Sequence, residues 1–348
     1  MSIKKLLLLP FYLLTVFTWS KSFRNNPVIG NYTLNLLGLH VFRVVLSHLL
    51  FNFRLCLLSP LVSHADRDSY RRNGFILKEN FLAPDEFQAL KSELLNYRGP
   101  IREIQEGNTL TQRVFLTRER LSHLPMCLRF TENPALLKPV RYASSKNRIP
   151  FFHIENLKHG VLGHNGDDPQ KHMHTDTFHP CMKAWLFIDE VTRQNGPFTY
   201  VPGSHKLTWQ RIQWEYAQSL AACRNKNAHD SQRYWDGSFR VSSDELREFG
   251  YPEPKAMIVP ANTLLIGNVH GFHRRGDAEA NTSRMTLWMQ ARDNPFNPLF
   301  TPFPRLSAGA FEYVWSIYLR KRDVKMQGEG KLATVESTFD AKPEPPPK

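Results

Sequence analysis

Short apolar runs with strand-like alternation recur through the middle of the chain. A half-buried strand shows a period of two, whereas a fully buried strand is a short apolar run bounded by turn residues. Segments of both kinds occur at 73–81 (NGFILKENF), 113–117 (RVFLT), 149–155 (IPFFHIE), 184–188 (AWLFI), 198–201 (FTYV), 255–268 (KAMIVPANTLLIGN) and 285–291 (MTLWMQA). Their number and shortness predict one mainly β core, with helices outside it.

Helical periodicity is clearest between residues 83 and 97. Asp85 and Glu86 lie in its first turn, where acidic side chains favour a helix. An apolar stripe of Phe87, Leu90, Leu94 and Leu95 follows. Further helices are expected at 209–222 and 311–320, and the segment ALLK resembles a helix end because Pro139 follows it.

The first 62 residues form a separate pattern of two apolar stretches, 6–19 and 34–58. In the second stretch His40, Arg43, Ser47 and Arg54 fall on one helical face, and the remaining face is broad and apolar. Such a helix fits a membrane interface, but it could also pack on the rest of the protein. A cleaved export signal is a third alternative, although no A-x-A-like site follows the first stretch. Charged and polar residues inside the second stretch argue against a simple membrane span.

Charge reinforces the membrane interpretation of this segment. The formal net charge is +13, and no acidic residue precedes Asp66, whereas six Lys and Arg do. A basic, apolar segment favours an anionic membrane surface, and no zinc-finger, RNP-like or helix-turn-helix motif favours nucleic acid. The four cysteines show no CxxC and indicate thiols in a reducing compartment. We therefore expect a cytoplasmic protein with peripheral membrane attachment.

The candidate chemistry begins at His174-Thr175-Asp176. On an extended strand the side chains of His174 and Asp176 point to the same face, so both can reach one metal ion. Together with His273 they would form the two-histidine, one-carboxylate facial triad typical of non-haem Fe(II) oxygenases. Two alternatives compete, since His172 could replace His174 and His270 could replace His273.

At this point the chain resembles the phytanoyl-CoA dioxygenase family of Fe(II)/2-oxoglutarate oxygenases over residues 68–296. The resemblance rests on GFILKENFLAPDEFQALKSELL, on HTD, on NGP…VPGSHK, and on His273 followed by Arg284. It implies a double-stranded β-helix, or jelly-roll barrel. It also implies Fe(II), with 2-oxoglutarate and O2 as co-substrates, and hydroxylation of a substrate C–H bond with release of succinate and CO2.

The resemblance assigns Arg284 to the distal carboxylate of 2-oxoglutarate, with Arg292 as a weaker alternative. Many family members carry a small Gly-Ser pair after the distal histidine, and its hydroxyl helps to bind 2-oxoglutarate. Arg274 and Arg275 stand there in this chain, so Thr286, on the same strand face as Arg284, is the candidate replacement. The arginine pair could alternatively face an anionic substrate or form a solvated basic turn.

These observations predict three regions. Residues 1–62 are a hydrophobic, basic segment expected to be membrane-associated, residues 66–322 form the oxygenase domain with an insertion at about 207–254, and residues 323–348 form a disordered tail. The expected substrate is small or lipid-like, since the N-terminal segment would present it at a membrane. A non-catalytic cupin-like binding protein and a hydrolase using a metal other than iron are the alternative functions.

Overall fold

A computed structural model describes residues 8–161, 168–225, 235–291, 293–300, 304–328 and 332–339. The helices are α1 Leu9–Leu14, α2 Tyr32–Leu36, α3 Leu39–Leu58, α4 His64–Asn73, α5 Pro84–Leu95, α6 Arg118–Leu121, α7 Pro125–Glu132, α8 Pro134–Ser144, α9 Trp209–Arg224, α10 Ser243–Glu248 and α11 Pro304–Gly328. The strands are β1 Phe75–Lys78, β2 Gly99–Glu106, β3 Thr109–Phe115, β4 Phe151–His159, β5 Met182–Phe187, β6 Phe198–Tyr200, β7 Lys255–Ala256, β8 Thr263–Asn268, β9 His273–Arg275, β10 Ser283–Ala291 and β11 Leu332–Ser337.

The strands form two antiparallel sheets. Eight strands pair in the order β1-β8-β5-β10-β4-β3-β2-β11, and three pair in the order β7-β6-β9. Strands distant in sequence are neighbours, as in β5 against β8 and β10. This arrangement confirms the predicted mainly β jelly-roll core with flanking helices.

Each face of the large sheet has its own apolar core. On β10, Met285, Leu287 and Met289 belong to a cluster shared with helical residues such as Leu90 and Val140. Trp185 and Phe187 of β5 belong to a second cluster with residues of the small sheet. Because side chains alternate along a strand, β10 turns its even-numbered residues, including Arg284 and Thr286, toward the space between the sheets. The functional site occupies that space.

Helix α8 departs from the prediction at Pro139. The expected helix end before this residue is wrong, because α8 continues through it to Ser144. An amide at position 139 would bond the carbonyl of Ala135 in the first turn, so the missing donor costs one hydrogen bond near the start of the helix. Leu136 and Val140, on either side of the proline, are fully buried and keep the helix packed on the sheet.

The N-terminal helices pack on the domain through their polar face. Gly38, at φ 95°, divides the predicted helix 34–58 into α2 and α3. On α3, His40, Arg43, Ser47 and Arg54 are all buried. Arg43 donates to the carbonyl of Val16 at 2.8 Å, and Arg54 donates to the carbonyl of Asn297 at 2.6 Å.

The apolar face of these helices is exposed. Exposed fractions reach 80% for Leu37, 62% for Leu49 and 51% for Phe53. The segment 39–61 is long and apolar enough to cross a membrane, but a third of its most apolar window is buried inside the protein. The polar stripe seen in the sequence therefore contacts the domain, and the apolar surface is left facing outward.

The C-terminal residues are more ordered than the sequence analysis expects. Helix α11 continues to Gly328, and β11 pairs with the edge strand β2 from Leu332↔Ile104 to Ser337↔Gly99. The predicted disordered tail from residue 323 therefore differs from the structure over 323–328 and 332–339. The physical reason is that β11 has the composition of a strand and satisfies the open edge of β2. The proline-rich 341–348 lies outside the described residues.

Candidate metal and co-substrate site

Two segments distant in sequence bring the candidate ligands together. His174 and His273 exchange backbone hydrogen bonds, N to O, of 3.0 Å in both directions, as an antiparallel bridge. The amide of Asp176 donates to the carbonyl of Val269 at 3.1 Å. These contacts hold the HTD segment against the segment that carries His273, so tertiary pairing sets the spacing of the three side chains.

The three side chains place their ligand atoms within 4.8 Å of one another. The Nε2 atoms of His174 and His273 each lie 3.7 Å from Oδ1 of Asp176. Both imidazoles are buried. Two imidazole nitrogens and one carboxylate oxygen converging in this way can hold one divalent metal ion on one face of its coordination sphere.

Backbone carbonyls orient both imidazoles. Nδ1 of His174 is 2.7 Å from the carbonyl oxygen of His172, and Nδ1 of His273 is 2.8 Å from that of Gly271. Because a carbonyl only accepts, each Nδ1 carries the proton and each Nε2 presents its lone pair. Burial, followed by the neighbouring His174, lowers the pKa of His273 to about 3, so its ring is neutral and able to bind metal at pH 7.

Lys183, on β5, holds the other oxygen of the carboxylate. Its Nζ lies 2.6 Å from Oδ2 of Asp176. Burial alone would raise the pKa of Asp176, but Lys183 and the two histidines outweigh it and keep that pKa well below its usual value. The carboxylate is therefore ionised, with Oδ1 directed toward the imidazoles. The sequence analysis missed Lys183. The available signal is that Lys183 lies on the same face of β5 as Trp185 and Phe187, at every second position.

Arg284 and Thr286, the candidate co-substrate residues, are buried on β10 and carry polar atoms without a partner among the described residues. Arg284 is 6% exposed, and its Nε and Nη1 have no hydrogen-bond partner among the described residues. Oγ1 of Thr286, also buried, likewise has none within the described chain. Burial lowers the pKa of Arg284 to about 10, which leaves it charged at pH 7. A buried, incompletely paired guanidinium is costly unless an anion binds it.

One cavity contains both parts of the site. Its lining includes His174, His273, Lys183 and Arg284. Two ion pairs also lie on the cavity wall: Arg113–Glu155 at 2.6 Å, and Arg275, which binds Asp168 at 2.8 Å. The two candidate metal-binding histidines and the guanidinium of Arg284 therefore line the same cavity.

The competing histidines lie elsewhere. His270 directs Nδ1 to the carbonyl of Thr177 at 3.0 Å, and its ring packs against that of His48 at 4.6 Å between centroids. The His172 side chain is exposed, although its carbonyl orients His174. Within the described residues, neither joins the cluster of ligand atoms. Arg292, the weaker alternative to Arg284, is outside those residues.

The donor set fits Fe(II) with 2-oxoglutarate. Three neutral or anionic donors would leave positions for a bidentate 2-oxo acid and for O2, and a buried guanidinium such as that of Arg284 can pair with a carboxylate. A facial triad inside a two-sheet antiparallel barrel defines the class of non-haem Fe(II)/2-oxoglutarate oxygenases.

The comparison with protein families agrees with this class. The model of the phytanoyl-CoA dioxygenase family matches residues 70–242. The chain belongs to the phytanoyl-CoA dioxygenase family. No curated protein matches the sequence.

Several solved structures share the fold at low sequence identity. The 2-oxoglutarate-dependent epimerase SnoN from nogalamycin biosynthesis is 16% identical, with 67% of this chain and 82% of that chain covered and a TM-score of 0.43. HygX from Streptomyces hygroscopicus, solved with nickel and 2-oxoglutarate, is 17% identical, with 66% and 86% covered and a TM-score of 0.41. The carbocyclase SnoK is 17% identical, with 66% and 83% covered and a TM-score of 0.42.

Proposed function

We propose that His174, Asp176 and His273 bind Fe(II), and that Arg284 and Thr286 bind the distal carboxylate of 2-oxoglutarate. When bound, these groups supply oxidation of a substrate C–H bond by O2, with decarboxylation of 2-oxoglutarate to succinate and CO2. The reaction we favour is hydroxylation of a small or lipid-like molecule. The observation that supports it is a buried, incompletely paired guanidinium that lines the same cavity as His174 and His273, two of the three converging metal donors.

The roles of the protein residues follow from their contacts. The carbonyls of His172 and Gly271 keep both Nε2 lone pairs directed at the metal. Lys183 holds the second oxygen of Asp176, which favours binding through one carboxylate oxygen and leaves other metal positions open. Trp185, Phe187 and Trp288 line the cavity and provide apolar walls for the substrate.

The test measures metal and turnover in the same preparation. Anaerobically purified protein should bind one Fe(II) and release succinate from 2-oxoglutarate when O2 is admitted. His174→Ala and Asp176→Ala should abolish both, whereas His172→Ala, which keeps its backbone carbonyl, should retain them. Iron binding and succinate release that survive in both ligand variants would rule out this site. Zn or Mn binding with hydrolysis and no succinate would favour the metal-dependent hydrolase.

We further propose that the exposed apolar face of the N-terminal helices lies on a membrane surface of the cytoplasm. Exposed aromatic and aliphatic side chains are concentrated there, including Trp19 at 54%, Leu14 at 71% and Leu37 at 80% exposed. Burying this surface in lipid is favourable at about 25 cal/mol per Å2. The inward-facing polar residues argue for a helix lying on the membrane surface, since His40 and Arg54 bond the domain.

Liposome flotation tests this attachment in the full-length chain. The triple variant Leu37→Asp, Leu49→Asp, Phe53→Asp changes exposed side chains only and should no longer float with lipid. Ile258→Asp, a change at a residue 43% exposed outside the N-terminal segment, is the matched control and should float normally. Equal flotation of the triple variant and the control would exclude this face as the attachment surface.

A further inference from the structure

Arg275 lies on the same strand face as the metal-ligand candidate His273. The two residues are separated by one position on β9, so their side chains point to the same side. The Arg275 side chain is 11% exposed, and the residue lines the cavity that Arg284 also lines. Arg274, between them in sequence, also lines the cavity and contacts Asp277 at 3.5 Å.

The cavity holds more positive charge than its acidic residues balance. The Glu155 carboxylate is held by Arg113, and Asp168, 1% exposed, accepts from Nη1 of Arg275 at 2.8 Å. After burial and the opposing effect of Glu155, the like charge of Arg275 is a further cause that lowers the pKa of Arg284. Two guanidiniums that line the same cavity favour a bound anion there.

We propose that Arg275 and Arg284 together bind the carboxylate of 2-oxoglutarate that is remote from the metal. This inference rests on the proposed function. Arg275 adds a second guanidinium to the cavity wall that Arg284 also lines. Asp168 positions its guanidinium through Nη1 and leaves other nitrogens available to the carboxylate.

Arg275 could instead have a purely structural role, and that role predicts a different effect of Arg275 variants on the binding of 2-oxo acids. Asp168 also accepts from the amide of Gln170 at 2.9 Å, and the amide of Arg275 donates to the carbonyl of Gln170 at 2.8 Å. These contacts tie the turn before His174 to β9. Loss of the tie would disturb the metal site itself, and it would weaken every 2-oxo acid that chelates the metal to the same extent.

Binding of two acids to the Fe(II)-loaded protein, without O2, separates these roles. 2-Oxoglutarate has the remote carboxylate and 2-oxobutyrate lacks it, and the absorption band of the metal chelate reports the Kd of each. Arg275→Ala should weaken 2-oxoglutarate by roughly 10- to 100-fold, the loss expected for one charge-assisted hydrogen bond, and leave 2-oxobutyrate unchanged. Arg275→Lys should restore part of the affinity, and Arg247→Ala, a change at a side chain 72% exposed on α10, should change neither Kd.

Each other outcome overturns the proposal in a distinct way. Equal weakening of both acids by Arg275→Ala, reproduced by Asp168→Asn, would show that the side chain only ties the turn to the strand. An unchanged Kd for 2-oxoglutarate would show that Arg284 acts alone. Failure of the unaltered protein to bind either acid would refute the proposed function, and this inference with it.

Discussion

Breaking the buried ion pair between Arg211 and Glu215 should destabilise the protein strongly. Both side chains lie on α9 and are fully buried, with Nε of Arg211 donating to Oε1 of Glu215 at 3.0 Å. Nε2 of His40, on α3, lies 2.8 Å from Oε2 of the same carboxylate. The variant Glu215→Gln keeps the shape of the side chain but removes its charge, and it leaves Arg211 buried without a counter-ion.

The expected loss follows from the burial of this network. Removing one partner of a buried pair costs about 3–5 kcal/mol, out of a typical total stability of about 5–15 kcal/mol. Arg211 also donates to the carbonyls of Ser204 at 3.0 Å and His270 at 3.1 Å. The loss should therefore reach the segment that carries His273, and Fe(II) affinity should fall together with stability.

The loss of stability in Glu215→Gln can be measured by urea denaturation at pH 7, with tryptophan fluorescence as the signal. We expect a lower transition midpoint than in the unaltered protein. The control is Asp244→Asn, which breaks the Arg247–Asp244 pair on α10; its side chains are 72% and 79% exposed, and no measurable change is expected. Exposed ion pairs contribute up to about 1 kcal/mol. A smaller loss of stability for Glu215→Gln would therefore contradict the conclusion that this pair is stabilising because it is buried.

At acid pH, the free energy of unfolding of Glu215→Gln should come closer to that of the unaltered protein. Burial raises the pKa of Glu215, but Arg211 and His40 outweigh it and leave that pKa below its usual value. A lowered pKa in the folded state stabilises the protein above the unfolded-state pKa, and this contribution disappears as the pH falls through the folded-state pKa. A difference that stays constant from pH 7 into the acid range would contradict this linkage.

Two further predictions concern the metal site. Lys183→Met removes the cation that holds Oδ2 of Asp176, so the pKa of Asp176 should rise. In a pH titration, Fe(II) binding should then be lost at a higher pH than in the unaltered protein. An unchanged pH profile of Fe(II) binding would refute this role of Lys183. Gly271→Ala would place a Cβ 2.0 Å from Oη of Tyr200, so the segment must shift, and the carbonyl that orients His273 moves with it. We expect Fe(II) affinity to fall by about 10- to 100-fold, as for other losses of a contact that orients a ligand, and a normal affinity would show that the loop adapts.

Much of the fold is predictable from local pattern. The strands around Trp185 and Leu264, and helix α5, occur where apolar runs and helical periodicity place them. Both faces of these strands and one face of the helix are buried in apolar cores. Helix α8 and strand β11 were not predicted correctly. In α8, the packing of Leu136 and Val140 outweighs the local preference of Pro139 to end a helix. In β11, pairing with β2, more than two hundred residues earlier, supplies the stabilisation.

The residue types of the candidate site were recognisable from the sequence, because metal ligation demands imidazole and carboxylate at compatible spacing. Local spacing left open the choice between His270 and His273. In the structure, the bridge from His273 to His174 and the bond from His270 to Thr177 distinguish them. The contacts of Lys183 with Asp176 and of Arg275 with Asp168 join residues from separate segments, so local pattern does not give these partners.

By itself, the sequence determined the strand and helix periods, the two-faced character of α3, and the set of side chains able to bind a metal and an anion. The tertiary structure decided which face of α3 turns inward and which histidine meets Asp176. Periodicity specifies that a helix has a polar and an apolar side, but not what each side contacts. That depends on buried partners such as Glu215 and the carbonyl of Asn297, which the folded chain brings to His40 and Arg54 from distant positions.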